Sequence, residues 1–174
     1  MGIQFETDYN METLTAMAKS LRKTVRKKRS RRVHIFAAVV LILGLLTILA
    51  TTAGGEPLGA SGVVTLLAML VVILVSLFED KLNAWFARKR LLPGTEHAVA
   101  TFEEDGYVSA TGVTESRFSY AQIVAVAETA RYFVFALSSH HTQAYDKRTI
   151  RGGSVEDFRA FIAEKTGKPV ANIK

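Results

Sequence analysis

Lys147, Arg148 and Arg151 place three basic side chains within five positions, the densest such group after residue 94. Ammonium and guanidinium groups donate charge-assisted hydrogen bonds to phosphate and carboxylate groups. We therefore expect this cluster to bind anionic lipid head groups or a partner protein. The alternative is a solvated cluster that is balanced locally by Asp146.

The histidines and paired carboxylates offer weaker signals for chemistry. His140 and His141 are adjacent, so on a strand they would point to opposite sides, and the distant His97 does not complete a zinc-ligand spacing. Glu103 and Asp105 lie in a predicted exposed turn and require no catalytic role. The absence of cysteine excludes disulfides, thiolate metal sites and cysteine nucleophiles. We expect no catalytic residue, no metal site, no cofactor and no enzymatic activity.

The tripeptide GGS, residues 152–154, precedes an apolar helical pattern, and helix N-termini bind phosphate. However, Glu156 and Asp157 follow it directly and would occupy the space of an anion. Ser154 with Asp157 three positions later is an acidic variant of the capping box. We therefore expect the segment to cap a helix, with phosphate binding as the alternative.

A second basic group lies beside apolar sequence. Eight of the eleven residues from 22 to 32 are Lys or Arg. Residues 1–94 carry 13 basic against 6 acidic side chains, whereas residues 95–174 carry 9 against 10. A nucleic-acid-binding domain carries its positive charge on the folded part, so this distribution favours lipid head groups over nucleic acid. The juxtamembrane basic residues are Arg22, Lys23, Arg26, Lys27, Lys28, Arg29, Arg31, Arg32, Arg88, Lys89 and Arg90.

Two uncharged apolar runs, residues 33–53 and 58–78, predict a transmembrane helical hairpin. Twenty-one helical residues extend about 31 Å, which matches a bilayer core of roughly 30 Å. The connection lacks Lys and Arg, whereas basic residues flank both outer ends, so the positive-inside rule places both termini in the cytoplasm. Trp85 and Phe86 would anchor the bilayer interface. A signal peptide would be shorter and closer to the start of the chain, and two buried soluble helices would need a larger core.

The remaining sequence predicts a small domain. Short β-branched and aromatic segments between residues 97 and 146, with turns at Asp105-Gly106 and residues 138–141, indicate an antiparallel sheet or barrel. Residues 155–166 show helical periodicity and end at Gly167. The N-terminal segment IQFETD predicts a strand without a sheet of its own, followed by an amphipathic helix, and we expect that strand to complete the C-terminal sheet.

These elements resemble the YcxB-like family of bacterial membrane proteins over essentially the whole chain. The resemblance is carried by FSYAQIVAVAETARYFVFALS, by the aromatic strand 132–137 and by Asp146-Lys147-Arg148. Members commonly have an aliphatic residue, proline and lysine where this chain has Tyr145-Asp146-Lys147. The resemblance implies a pleckstrin-homology-like (PH-like) unit, a bent antiparallel barrel capped by one helix, and no established catalytic activity.

We therefore expect a membrane α+β protein: a two-helix transmembrane hairpin and a small antiparallel barrel or sheet capped by a C-terminal helix. The expected division is a cytoplasmic N-terminal segment 1–32, a first span 33–53 and an external loop 54–62. A second span with a cytoplasmic extension follows over 63–92 (starting as early as 58), and then a PH-like domain 93–174. The expected role is a bacterial inner-membrane module that binds a protein or anionic lipid. An oligomeric pore or transport accessory is the alternative, and homo-oligomerisation is a further expectation.

Overall fold

The computed structural model describes residues 2–55 and 57–173, so Glu56 of the predicted external loop lies outside the described residues. These residues form five α-helices and eight strands. In order they are β1 (Ile3–Asp8), α1 (Met11–Lys23), α2 (Lys27–Ala53), α3 (Ala60–Leu77), α4 (Glu79–Lys89), β2 (His97–Phe102), β3 (Tyr107–Thr111), β4 (Glu115–Phe118), β5 (Ala125–Glu128), β6 (Tyr132–Ala136), β7 (Thr142–Asp146), α5 (Val155–Thr166) and β8 (Val170–Asn172). The expected α+β fold class is confirmed.

The first sheet contains strands in the order β1-β2-β3-β4, all antiparallel. The N-terminal strand belongs to it: Ile3 lies opposite Phe102, and Asp8 lies opposite His97. Ile3, Phe5 and Thr7 are buried, which is the alternation expected of a strand with one face toward the core. The two ends of the sequence therefore form one folding unit around the two apolar helices.

The second sheet has the order β7-β6-β5-β8 and is mixed, because β8 runs parallel to β5. The sequence predicts an antiparallel sheet or barrel, and the structure differs from that prediction in the parallel pairing of β8 with β5. Strand β8 follows Gly167 and Pro169 and has only three residues, so it is too short for an alternating pattern to predict it from the sequence.

Aromatic side chains fill the space between the two sheets, and α5 closes one side of it. Phe158 of α5 is fully buried, with ring centroids 4.7 Å from Phe5, 4.8 Å from Phe102 and 5.0 Å from Phe133. Such edge-to-face pairs stabilise a core beyond the apolar area that they bury. The capping box expected at the start of α5 is confirmed.

Helix α1 covers the outer face of the second sheet. Asn10 caps its N-terminus by accepting hydrogen bonds from two backbone N–H groups of the first turn. Met17 packs on a cluster that includes Tyr132, Val134 and Ala144 of the sheet. The other side of α1 packs on α4, so the sheet, α1 and α4 form successive layers.

Among the described residues, helices α2 and α3 are long and apolar enough to cross a membrane. They contact each other, with Gly44 directly opposite Met69, and neither helix contains a buried residue. Helix α2 begins at Lys27, so part of the basic run is helical.

Within the segment 63–92, expected to hold the second span and its cytoplasmic extension, α3 ends at Leu77 and α4 begins at Glu79. Glu79 and Asp80 form the first turn of a new helix, where carboxylates interact favourably with the helix dipole. Helix α4 packs on α1, with Ala84 fully buried.

Candidate functional site: a basic cleft at the base of the apolar hairpin

A cleft of about 620 Å³ lies where α1, the start of α2, α4 and the β6–β7 turn meet. We call it the basal cleft. Its volume is in the range of small-molecule sites. The lining residues are Leu14, Met17, Ala18, Leu21, Arg22, Arg26, Arg29, Ser30, Val33, Glu79, Asn83, Phe86, Ala87, Arg90, His140 and Thr142.

The apolar part of the basal cleft follows from the amphipathic pattern of α1. Leu14, Met17 and Leu21 recur at helical spacing and lie on the cleft side of that helix. Val33 and Phe86 complete the apolar wall where α2 and α4 diverge, and both remain about half exposed, at 54% and 50%. One side of the cleft is therefore continuous with the apolar surface of the hairpin.

One arginine of the cleft joins the helices together. Arg22 in the last turn of α1 donates two hydrogen bonds to Asp80 of α4, from Nε at 2.7 Å and Nη2 at 2.6 Å. Both side chains are mostly covered, at 26% and 17% exposure. The bond to Asp80 raises the pKa of the Arg22 guanidinium. Arg22 therefore acts as a structural link between α1 and α4, which we call the α1–α4 latch.

Among the described residues, the other three arginines have no carboxylate partner. Arg26 Nε donates to the Ser139 backbone carbonyl at 2.6 Å, which holds the β6–β7 turn against the start of α2. Within residues 2–55 and 57–173, no hydrogen bond or ion pair engages the side chains of Arg29 and Arg90. Glu79 is the one carboxylate in the described lining, and it lies 3.8 Å from Arg22 and 3.7 Å from His34. The cleft thus has an excess of positive charge.

The N-terminus of α2 increases that positive potential. Its N-cap, Arg26, makes no side-chain capping bond, and the first turn contains Lys27, Lys28 and Arg29 but no acidic residue. Basic side chains at a helix N-terminus are unfavourable, because the helix dipole is positive there. An anion at this point would offset both effects. The arrangement therefore suits a ligand with an anionic group and an apolar part.

The Lys147, Arg148 and Arg151 cluster lies elsewhere. Each member pairs with a different carboxylate: Lys147 with Glu128 at 2.9 Å, Arg148 with Asp146 at 2.9 Å and Arg151 with Glu6 at 3.1 Å. Lys147 is only 14% exposed, whereas the two arginines are 65% and 68% exposed. These pairs balance the cluster locally.

The position of the cluster follows from the ion pairs of α1. Arg131 bonds both to Asp146, beside the cluster, and to Glu12 in the first turn of α1. Arg22, at the other end of α1, bonds to the base of the hairpin. Glu12 and Arg22 are ten positions apart in α1, which corresponds to about 15 Å along the helix axis. The cluster therefore lies at the end of the domain away from the hairpin, and a binding role for it stays a prediction.

Comparison with known proteins concerns the domain that carries this cluster. Residues 102–162 match the YcxB-like protein family. The resemblance seen in the sequence is thereby confirmed for this stretch, which we call the YcxB-like segment. No curated protein and no solved structure gives a significant match to the chain.

The YcxB-like segment runs from the last residue of β2 into α5 and contributes only His140 and Thr142 to the basal cleft. The remaining lining residues come from α1, α2 and α4. Within the segment, Glu128 accepts hydrogen bonds from Lys147 and from Arg159 of α5. The bonds from Arg159 and then from Lys147 lower the pKa of Glu128, against the effect of its burial.

The other candidates from sequence are dispersed. His97 lies 2.7 Å from Asp8, whereas His140 and His141 lie on the β6–β7 turn, and the described residues contain no group of three metal-ligating side chains. The N-terminus of α5 is occupied by its own cap, since Asp157 N–H donates to Ser154 Oγ.

Sequence reasoning grouped the juxtamembrane basic residues together, and the structure divides them. Arg22, Arg26, Arg29 and Arg90 line the basal cleft. The rest lie outside it: Lys23, Lys27, Lys28, Arg31, Arg32, Arg88 and Lys89. The signal for this division was present in the acidic pair at 79–80, which marks the start of α4.

Proposed function

We propose that the protein is a binding module anchored in the bacterial cytoplasmic (inner) membrane. Helices α2 and α3 insert as a hairpin, both termini lie in the cytoplasm, and the α+β domain binds a ligand or a protein at the bilayer surface. One observation carries this proposal: none of the described residues of α2 and α3 is buried, and large apolar side chains such as Phe36, 71% exposed, cover both helices. Soluble proteins rarely expose apolar patches of such size.

The α1–α4 latch supports a module held close to the bilayer. Helix α1 precedes the hairpin, α4 follows it, and the two pack together through the buried Ala84 and the Arg22–Asp80 ion pair. A domain attached at both ends of the hairpin has little freedom to move away from the membrane. Trp85 and Phe86, whose ring centroids lie 4.9 Å apart, would sit at the interface.

The finer parts of the proposal concern the fold and the partners. We infer that the domain is PH-like, which is supported by two sheets packed around an aromatic core that one helix closes. Its partners are anionic head groups or another protein, with homo-oligomerisation through the hairpin, and it has no catalytic activity. A conduit is the second candidate, but Thr47, Thr51 and Thr65 donate their hydroxyls to carbonyls of their own helices.

Membrane insertion is tested with single cysteines, because the natural chain contains none. Thr52→Cys lies near the tip of the hairpin, and Glu115→Cys lies on an exposed position of β4. In spheroplasts, a membrane-impermeant maleimide should label Thr52→Cys, whereas it should label Glu115→Cys only after permeabilisation. Release of the protein by alkaline carbonate, or protection of both cysteines until lysis, would refute the anchored hairpin.

A further inference from the structure

Three arginines of the basal cleft, Arg26, Arg29 and Arg90, have no carboxylate partner among the described residues. Arg26 uses only its Nε, and the terminal nitrogens of Arg26, Arg29 and Arg90 have no acceptor among the described residues. A guanidinium group offers a planar fork of donors that matches the oxygens of phosphate. Three such groups and an uncapped helix N-terminus converge on one cleft. This combination is typical of a phosphate site.

The apolar wall indicates what the phosphate is attached to. Val33 and Phe86 line the cleft and continue into the surface of the hairpin, where Ile35 and Phe36 are also exposed. With a water-soluble phosphate ester in the cleft, this apolar wall would remain exposed to water. A ligand with an acyl chain would cover it and remove that apolar surface from water.

We propose that the basal cleft binds the head group of an anionic glycerophospholipid. Arg26, Arg29 and Arg90 hold the phosphate, and one acyl chain lies along Val33 and Phe86. The inference depends on the proposed function, because insertion of α2 and α3 is what places the cleft at the level of the head groups. Glu79, the carboxylate of the described lining, lies near Arg22 and His34, and within the described residues it forms no ion pair with the three arginines that would hold the anion.

The test compares lipids and variants in mild detergent, where no charged bilayer surface attracts the protein. The full-length protein is mixed with equal amounts of phosphatidylglycerol and phosphatidylcholine and analysed by native mass spectrometry. We expect about tenfold preferential retention of phosphatidylglycerol. The variant Arg26→Gln, Arg29→Gln, Arg90→Gln should lose that preference.

A matched control removes the same charge from residues outside the cleft: Lys28→Gln, Arg31→Gln, Arg32→Gln. It should retain phosphatidylglycerol as the natural protein does. Arg29→Gln and Arg90→Gln are also measured singly, because these side chains have no bonds to described residues whose loss would perturb folding. Equal loss in the control and the cleft variant, or unchanged retention in the cleft variant, would overturn the proposal.

Two further measurements distinguish the possible reasons for a negative result. Millimolar inorganic phosphate should not displace the lipid, and displacement would identify the cleft as a site for free phosphate. Carbonate extraction of the membranes, carried out before detergent is added, reports insertion independently. A protein that resists extraction but shows no lipid preference would overturn the lipid site and leave the anchored module intact, whereas an extractable protein would overturn both.

Discussion

Glu128 stabilises the domain through two cations, and its replacement by glutamine should be strongly destabilising. The side chain is 8% exposed and accepts hydrogen bonds from Lys147 Nζ at 2.9 Å and from Arg159 Nε and Nη2 at 2.7 and 2.8 Å. Glutamine keeps the shape but removes the charge, so the covered ammonium of Lys147 loses its counter-charge. Removing one partner of a buried ion pair costs roughly 3–5 kcal/mol. Since Arg159 is 39% exposed, we expect about 3 kcal/mol, the lower end of that range.

The assay is thermal unfolding in mild detergent followed by near-ultraviolet circular dichroism, which reports the packed aromatic core. A loss of about 3 kcal/mol should lower Tm by about 10 °C for a domain of this size. Glu156→Gln is the matched control, because Glu156 also faces Arg159, at 3.8 Å, but is 75% exposed. An exposed pair contributes about 0–1 kcal/mol. Equal Tm values for the two variants would refute the assigned role of Glu128.

The same ion pairs predict how the effect depends on pH. The bonds from Arg159 and Lys147 lower the pKa of Glu128 in the folded state. Its stabilising contribution is therefore complete above the unfolded pKa of about 4.3 and is lost as pH falls through the lower folded pKa. The difference in Tm between the natural protein and Glu128→Gln should shrink over that acidic range. A difference that is constant from pH 7 to pH 3 would contradict the ionic origin of the effect.

Three other substitutions test separate parts of the structure. Ser20→Ala should raise the free energy of unfolding by about 1 kcal/mol in chemical unfolding, because Ser20 Oγ is buried without a hydrogen-bond partner among the described residues. A lower stability of the variant would show that the hydroxyl has a hydrogen-bond partner. Asp80→Asn breaks the paired hydrogen bonds from Arg22, so it should lower the free energy of unfolding by about 1–3 kcal/mol and speed hydrogen exchange in α1 and α4. Unchanged exchange rates would contradict the α1–α4 latch. Tyr120→Phe should lower the free energy of unfolding by about 1 kcal/mol and make the β2–β3 turn more sensitive to proteolysis, because the hydroxyl forms a shared hydrogen bond with two carbonyls of that turn. An unchanged cleavage rate would contradict this role of Tyr120.

Elements that depend on neighbouring residues could be predicted from the sequence. Ser154 and Asp157 cap α5, and Gly167 ends it in the left-handed conformation with φ 61°, as their spacing indicates. The turn at Asp105-Gly106 joins β2 to β3. In each case the hydrogen bonds join residues a few positions apart, so the local pattern carries the information.

Contacts between distant residues could not be predicted in the same way. Lys147 was assigned to a ligand-binding cluster, yet its partner Glu128 lies on another strand, and Arg159 reaches the same carboxylate from α5. The packing of α1 on α4 likewise joins residues far apart along the chain. Ion-pair partners and helix contacts of this kind depend on tertiary packing.

The sequence by itself determined two apolar helices, the concentration of basic residues before them and the strands and final helix of an α+β domain. These features follow from composition and periodicity, which express burial and backbone geometry within one element. Only the tertiary structure decided which basic residues act together. Arg29 and Arg90 lie 61 positions apart in the sequence, and they line one cleft because α1 and α4 pack side by side at the base of the hairpin. Side-chain charge is a property of the residue, but the potential of a site depends on which residues the fold brings together.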